Sequence, residues 1–236
     1  MKNICNCWKE IEGIYLKDKI KESYKTSIKI YNDMMTQGSF WSKLYIKLFW
    51  QGVDDNQVAK KVLEYIPDIF HGELLDVPIG TAIFTYKKYK QLNNAKIIGL
   101  DYSEDMLKQA RQILNDNQIS NVELLQGDVG NIPFENEQFD YVLSMNGFHV
   151  FPDKDKAFSE IDRILKPTGK LIACFYIKGK SKKTDWLANN ILSKKGWFTQ
   201  PFDSEEDIRK RLKNYHYKIL DFEVRGSIVI FCAQKQ

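Results

Sequence analysis

The sequence predicts an α/β fold: a mostly parallel sheet with helices packed on both faces. Three observations carry that prediction. From Glu73 onward, short apolar runs alternate with amphipathic segments through short connections, which is how βαβ units build doubly wound sheets. The first run, Leu74-Leu75-Asp76, ends in a carboxylate and enters a turn of small residues, Val77-Pro78-Ile79-Gly80-Thr81-Ala82. The second run, Lys96-Ile97-Ile98-Gly99-Leu100, ends in Asp101, about twenty residues beyond that turn. A turn after one strand and an acid after the next is the layout of a nucleotide site in which the acid holds a ribose diol.

Taken in order, residues 1 to about 70 show helical periodicity without strand alternation. Trp8, Ile11, Tyr15 and Ile20 form one apolar stripe, and Asp54-Asp55-Asn56-Gln57 reads as a helix start before Val58, Val62, Leu63 and Ile66. Most of these side chains are expected to pack on the core. Tyr24, Tyr31, Met35, Phe40 and Trp41 are also placed to line a helical lid over a substrate pocket, so residues 1–70 are assigned to a cap and 71–236 to the main domain. Strand one is expected at 73–77, with a helix at 82–91. Strand two, 96–101, leads into Ser103-Glu104-Asp105-Met106, an N-cap with early acids before an amphipathic helix. Strand three is Val122–Gln126, ending in Gly127-Asp128. Strand four, Phe139–Ser144, opens into Met145-Asn146-Gly147-Phe148-His149. Asp153 caps a helix closed by Lys166-Pro167-Thr168-Gly169, and strand five is Lys170–Phe175. An insertion at about 177–212 follows, basic and aromatic at first, with a helix capped by Ser204. Tyr217–Val224 and Ser227–Ala233, joined at Arg225-Gly226, read as an antiparallel hairpin on the sheet edge.

Composition narrows the classes. At 236 residues and 43% apolar, the chain fits one large α/β domain with decorations. No stretch reaches the length of a membrane span, and the N-terminus lacks a long apolar run with a cleavage site. Cys174 and Cys232 lie in apolar runs and read as buried small hydrophobes, while Cys5-x-Cys7 reads as a frayed terminus, so no metal site is expected. A reduced, cytoplasmic setting fits these features. The net charge of +4 is spread out, and Lys178–Lys183 and Arg209-Lys210-Arg211 read as solvated faces. Without a continuous basic stripe, a nucleic-acid partner is not expected.

Two details decide which nucleotide the turn suits. A dinucleotide turn needs a small residue where helix and strand touch, and that position falls on Ile83, while the small residue is Ala82. Asp76, beside the turn, repels a pyrophosphate and attracts a ligand that is cationic there, such as the ammonium of S-adenosylmethionine. An NAD-dependent oxidoreductase is the weaker alternative.

The chain resembles the class I S-adenosylmethionine-dependent methyltransferases over roughly residues 70–235. Five landmarks match in order: the turn at Asp76–Ala82, Asp101 in Gly-Leu-Asp-Tyr-Ser, Gly127-Asp128, Phe139–Val142 running into Asn146–His149, and Arg163–Lys170. The resemblance implies a three-layer, Rossmann-like, seven-stranded sheet whose last strand is antiparallel. Pro78 replaces the family's first glycine and Ala82 the last. Carried over, the resemblance places Asp76 near the cofactor's ammonium, and Pro78, Gly80 and Thr81 in the turn against it. Asp101 would accept both ribose hydroxyls, Tyr102 and Met106 would sandwich the adenine, and Asp128, between Gly127 and Val129, would accept from its amino group. Asn146 follows at the mouth of strand four. The fingerprint is similar to the small-molecule branch that includes ubiquinone- and menaquinone-biosynthesis methyltransferases, with Tyr31–Gly38 and Trp41 resembling that branch's N-terminal segment. Such an enzyme aligns a small, partly apolar acceptor with the methyl group and releases S-adenosylhomocysteine. His149 is the candidate base and Tyr31 a second catalytic candidate. A protein that binds the cofactor without catalysis, as sensor or scaffold, is the other alternative, kept open by Pro78.

Overall fold

The computed structural model describes residues 53–236. The lid candidates Tyr24, Tyr31, Met35, Phe40 and Trp41 lie outside them.

The described chain begins with α1 (Asp55–Glu64), whose N-cap Asp54 accepts the backbone N–H of Asn56. Then follow β1 (Glu73–Asp76), α2 (Tyr86–Gln91), β2 (Lys96–Asp101), α3 (Glu104–Asp116) and β3 (Val122–Gln126). The second half runs β4 (Phe139–Met145), α4 (Lys154–Ile164), β5 (Leu165–Tyr176), α5 (Lys182–Leu187), α6 (Glu205–Asn214), β6 (Tyr217–Arg225) and β7 (Ile228–Lys235). A π-helical turn, Ala188–Leu192, extends α5.

The strands form one sheet in the order β3-β2-β1-β4-β5-β7-β6. β1 to β5 are mutually parallel, and β7 runs antiparallel to both β5 and β6. The C-terminal pair is therefore a hairpin as expected, but β7 inserts beside β5 and leaves β6 as the edge. Alternation along the strands divides the core in two. Val58 and Val62 of α1 with Ile66 just after it, Tyr89 of α2 and Leu107 of α3 cover one face. Phe158 and Ile161 of α4 and Ile208 and Leu212 of α6 cover the other. α1 packs into this core through Val58 and Val62; most of the cap expected over residues 1–70 lies outside the described residues.

Other boundaries moved for local reasons. The helix expected from residue 82 is confined to Tyr86–Gln91. Ala82 sits at φ 60°, a left-handed conformation that interrupts an α-helix before it starts. β5 begins at Leu165, without a loop after α4, because Leu165 pairs with Phe139 and Lys170 with Tyr141, and the residues between bulge outward with Thr168 at φ 67°. Ser204 caps α6 in a reciprocal box with Asp207, as its sequence predicts. α6 is the crossover helix into β6, so the inserted segment proper ends before it.

Order reverses between β1 and β4: one neighbour of β1 leads to β2 and β3, the other to β5. Ligands of open α/β sheets bind outside the carboxyl ends of the strands at such a point. Asp76 ends β1 there, and Asn146 follows β4.

Candidate active site

The turn after β1 is pinned to both neighbouring strands. Val77 N–H donates to the Leu143 carbonyl of β4 (2.9 Å) and Ile79 N–H to the Leu100 carbonyl of β2 (3.1 Å). Gly99 of β2 makes room for Ile79, whose side chain occupies the position a Cβ would take. Gly80 adopts φ 58°, which glycine alone takes without penalty, and a Cβ there would meet nothing within 4 Å. The backbone at Gly80 is thus open to a ligand.

Asp101 locks this turn to β2. Its Oδ2 accepts the Gly80 N–H (2.9 Å) and its Oδ1 the Ser103 N–H (2.8 Å). Burial raises its pKa to about 6, against the opposing pull of these backbone donors. Each carboxylate oxygen keeps a second lone pair, so the geometry suits a diol.

Asp76 is different. It is 1% exposed, and its Oδ2 accepts the hydroxyl of Tyr89, itself fully buried on α2 (2.6 Å). Its Oδ1 is buried with no hydrogen-bond partner. Burial, with Asp101 nearby adding to it, pushes the pKa up to about 8 despite Tyr89. An unpaired buried carboxyl oxygen costs free energy and calls for a donor. A ligand ammonium supplies one, with a charge that restores the ionised form.

One pocket collects most of the other predicted cofactor residues. Pro78, Asp101, Tyr102, Gly127, Asp128 and Val129 line it. Residues that sequence reasoning did not select complete the wall: Val77 and Leu100 below, and Val150, Phe151 and Pro152 after β4. Tyr102 is 37% exposed, free to lie over a flat ring. Asp128 Oδ1 accepts the Gly130 N–H (2.9 Å), so it also holds its own turn. Met106 does not line this pocket; it is buried within α3, where Ser103 caps its backbone N–H. Thr81 is buried in the turn, and Asn146 sits at φ 55° with its N–H donated to the Cys174 carbonyl (2.7 Å).

The placement of His149 reads against a general base. It is 4% exposed, its Nδ1 accepts the Tyr176 backbone N–H (3.2 Å), and its ring packs on Phe198 with centroids 4.1 Å apart. Burial first, then the nearby Lys154 ammonium, lowers its pKa to about 3, so the ring is neutral at neutral pH and takes a second proton reluctantly. Its carbonyl accepts the Thr199 N–H (2.8 Å), and Lys154 Nζ donates to the Thr199 carbonyl (2.7 Å). His149 therefore fastens the inserted segment to the sheet. Tyr31, the other catalytic candidate, lies outside the described residues.

Two further buried groups near the strand ends escaped the sequence reading. Ser144 Oγ on β4 and Asp55 Oδ2 on α1 have no hydrogen-bond partner. The only signal for Asp55 was its place in a helix start, where a solvated acid is the ordinary expectation.

Comparison with known proteins agrees with this geometry. A family model described as a methyltransferase domain matches residues 71–222. The demethylmenaquinone methyltransferase of Staphylococcus carnosus is 36% identical over 114 residues, covering 48% of this chain and 46% of that protein. An uncharacterized chloroplastic methyltransferase of Arabidopsis thaliana is 26% identical over 214 residues, covering 83% of this chain and 55% of the other. The chain spans about half the length of the curated relatives it matches. Among solved structures, an S-adenosylmethionine-dependent methyltransferase from Aquifex aeolicus superposes with a TM-score of 0.60 at 20% identity, covering 81% of this chain and 93% of that one, a likeness of fold. The turn, Asp101 and the unpaired carboxyl of Asp76 converge with the match over 71–222: the chain belongs to the methyltransferase domain family, with S-adenosylmethionine as its cofactor.

Proposed function

We propose that this chain transfers the methyl group of S-adenosylmethionine to a small, partly apolar acceptor and releases S-adenosylhomocysteine. The observation that carries the proposal is the buried, unpartnered Oδ1 of Asp76, held in place from behind by Tyr89. In this reading Asp76 receives the ammonium of the amino-acid end, and the Gly80 backbone lies against the chain that joins it to the ribose. Asp101 takes the ribose hydroxyls, and Tyr102 and Asp128 flank the adenine. The cofactor supplies an activated sulfonium methyl; the protein contributes alignment and exclusion of water.

The acceptor half is framed by aromatic packing. Tyr176 contacts Phe198 and Phe202, with ring centroids 5.5 and 5.3 Å apart, and its hydroxyl donates to Asp185 (2.7 Å). These three rings are buried and form a packed backing at the end of β5; identity to demethylmenaquinone methyltransferases supports a hydroxylated aromatic acceptor of quinol type as the first to test. Among the described residues, no helix is long and apolar enough to cross a membrane.

The test is incubation with methyl-labelled S-adenosylmethionine and a panel of reduced naphthoquinones and phenols. Label entering an organic product, in step with S-adenosylhomocysteine release, is the expected result. Tight S-adenosylhomocysteine binding without transfer to any acceptor in the panel would favour a sensor, and dehydrogenase turnover with NAD would overturn the proposal.

A further inference from the structure

The unpaired carboxyl of Asp55 lies in the same layer of the molecule as the proposed acceptor site. Lys61 and Tyr65 of this region anchor α1 by donating to Asp221 Oδ2 of β6, at 2.9 and 2.7 Å. Asp221 pairs with Cys232 of β7, which pairs with Ile172 of β5, so this anchor marks the level of Ile172. Further along, Phe70 meets Tyr141 near the start of β4, ring centroids 4.9 Å apart. The chain thus descends from the carboxyl ends of the strands to their amino ends. Asp55, six residues before Lys61, stands about 9 Å higher, or roughly three strand residues. That is the level of Cys174 to Tyr176, beyond Asp76, which stands level with Ile172 through Leu143, and so over the carboxyl ends of the strands where ligands of such sheets bind.

Asp55 is 5% exposed and its Oδ2 has no partner. A carboxyl that merely complements a helix dipole does so from the surface, at no desolvation cost. Asp54, next to it, already caps the helix. Burying a second acid without a hydrogen bond is explained by a donor that arrives with a ligand. Asp55 and Asp76 are both near enough to Cys174 of β5 to add, after burial, to the upward shift of its thiol.

Resting on the proposed methyl transfer, we infer that Asp55 faces the methyl-transfer position from α1 and accepts a hydrogen bond from the hydroxyl or amine of the acceptor. Asp76 and Asp55 then divide the site, one reading the methyl donor's ammonium and the other the acceptor's polar hydrogen.

Sinefungin tests this without an identified acceptor, because it carries an amine where S-adenosylmethionine carries its transferable methyl. Calorimetry with sinefungin and S-adenosylhomocysteine is run on the wild type, Asp55→Asn and Asp54→Asn. The wild type is expected to prefer sinefungin by about tenfold or more, the scale of a hydrogen bond between charged groups. Asp55→Asn is expected to abolish that preference with S-adenosylhomocysteine affinity within about twofold of wild type, while Asp54→Asn retains the preference. Equal weakening of both ligands by Asp55→Asn, an unchanged preference, or the same loss in Asp54→Asn would overturn the inference. Failure of the wild type to bind either ligand would instead overturn the methyl-transfer reading on which it rests.

Discussion

The two halves of the site are built by different means. Around β1, β2 and β3, the cofactor half is a backbone construction: Asp101 accepts two main-chain N–H groups, and the turn is tied to β2 and β4 through main-chain bonds. At the ends of β4 and β5, the proposed acceptor half is a packing construction, with His149, Tyr176, Phe198 and Phe202 in ring contact across about fifty residues of sequence. Backbone constructions need particular residues at fixed spacings, because a turn tolerates few conformations. Packing constructions need only complementary volume, which many residue combinations supply.

The sharpest way to break this comparison is at Asp101. Asp101→Ala is expected to weaken S-adenosylhomocysteine binding by about a hundredfold or more, since it removes the diol acceptor and frees the Gly80 turn together. Calorimetry checks it, and near-wild-type affinity would mean the turn holds itself. The acceptor half predicts the opposite pattern. His149→Ala should cost about 2 to 4 kcal/mol of stability, from the cavity beside Phe198 and the unpaired Tyr176 N–H, with S-adenosylhomocysteine affinity little changed. In the wild type, proton NMR should find the His149 ring neutral at pH 5. A titration near 6.5 would restore it as a candidate base.

This contrast also explains what the sequence disclosed. Asp76, Gly80, Asp101, Gly127 and Asp128 stand at motif spacings, and all five are placed at the turn or the pocket by hydrogen bonds or direct lining. Tyr89 carried no motif, yet it decides which oxygen of Asp76 stays available. His149 looked like a base because it follows β4; its burial depends on Phe198 and Thr199, supplied by an insertion with no repeated pattern. Strand order past β5 was likewise hidden, because a two-residue connection fixes that β6 and β7 pair but not which of them meets β5.

Smaller effects sharpen the account of Asp76. Its folded pKa of about 8 lies above the model-peptide carboxyl value of 3.8. Between those values the folded state keeps a proton that the unfolded state has lost, so this group's contribution falls as pH rises toward 8. The slope is at most about 1.4 kcal/mol per pH unit for one group. Thermal melts from pH 6.5 to 8, above the range in which His149 contributes, should show the ligand-free wild type losing stability relative to Asp76→Asn. Parallel curves would place Asp76 in water. Tyr89→Phe should cost about 1 to 2 kcal/mol and weaken S-adenosylhomocysteine binding several-fold, by freeing the Asp76 carboxyl to rotate. Least of all, Ala82→Gly should leave function intact and raise stability by up to about 1 kcal/mol, since glycine meets no penalty at φ 60°; chemical denaturation measures it.

The central claim is that the unpaired oxygen of Asp76 receives the cofactor's ammonium. Its most direct measurement is calorimetry on wild type and Asp76→Asn with S-adenosylhomocysteine and with 5′-methylthioadenosine, which lacks the amino-acid end. The account predicts that Asp76→Asn loses S-adenosylhomocysteine affinity by about thirtyfold or more, the scale of a buried charged hydrogen bond, while 5′-methylthioadenosine binds both proteins alike. Equal S-adenosylhomocysteine affinity in the two proteins would contradict it.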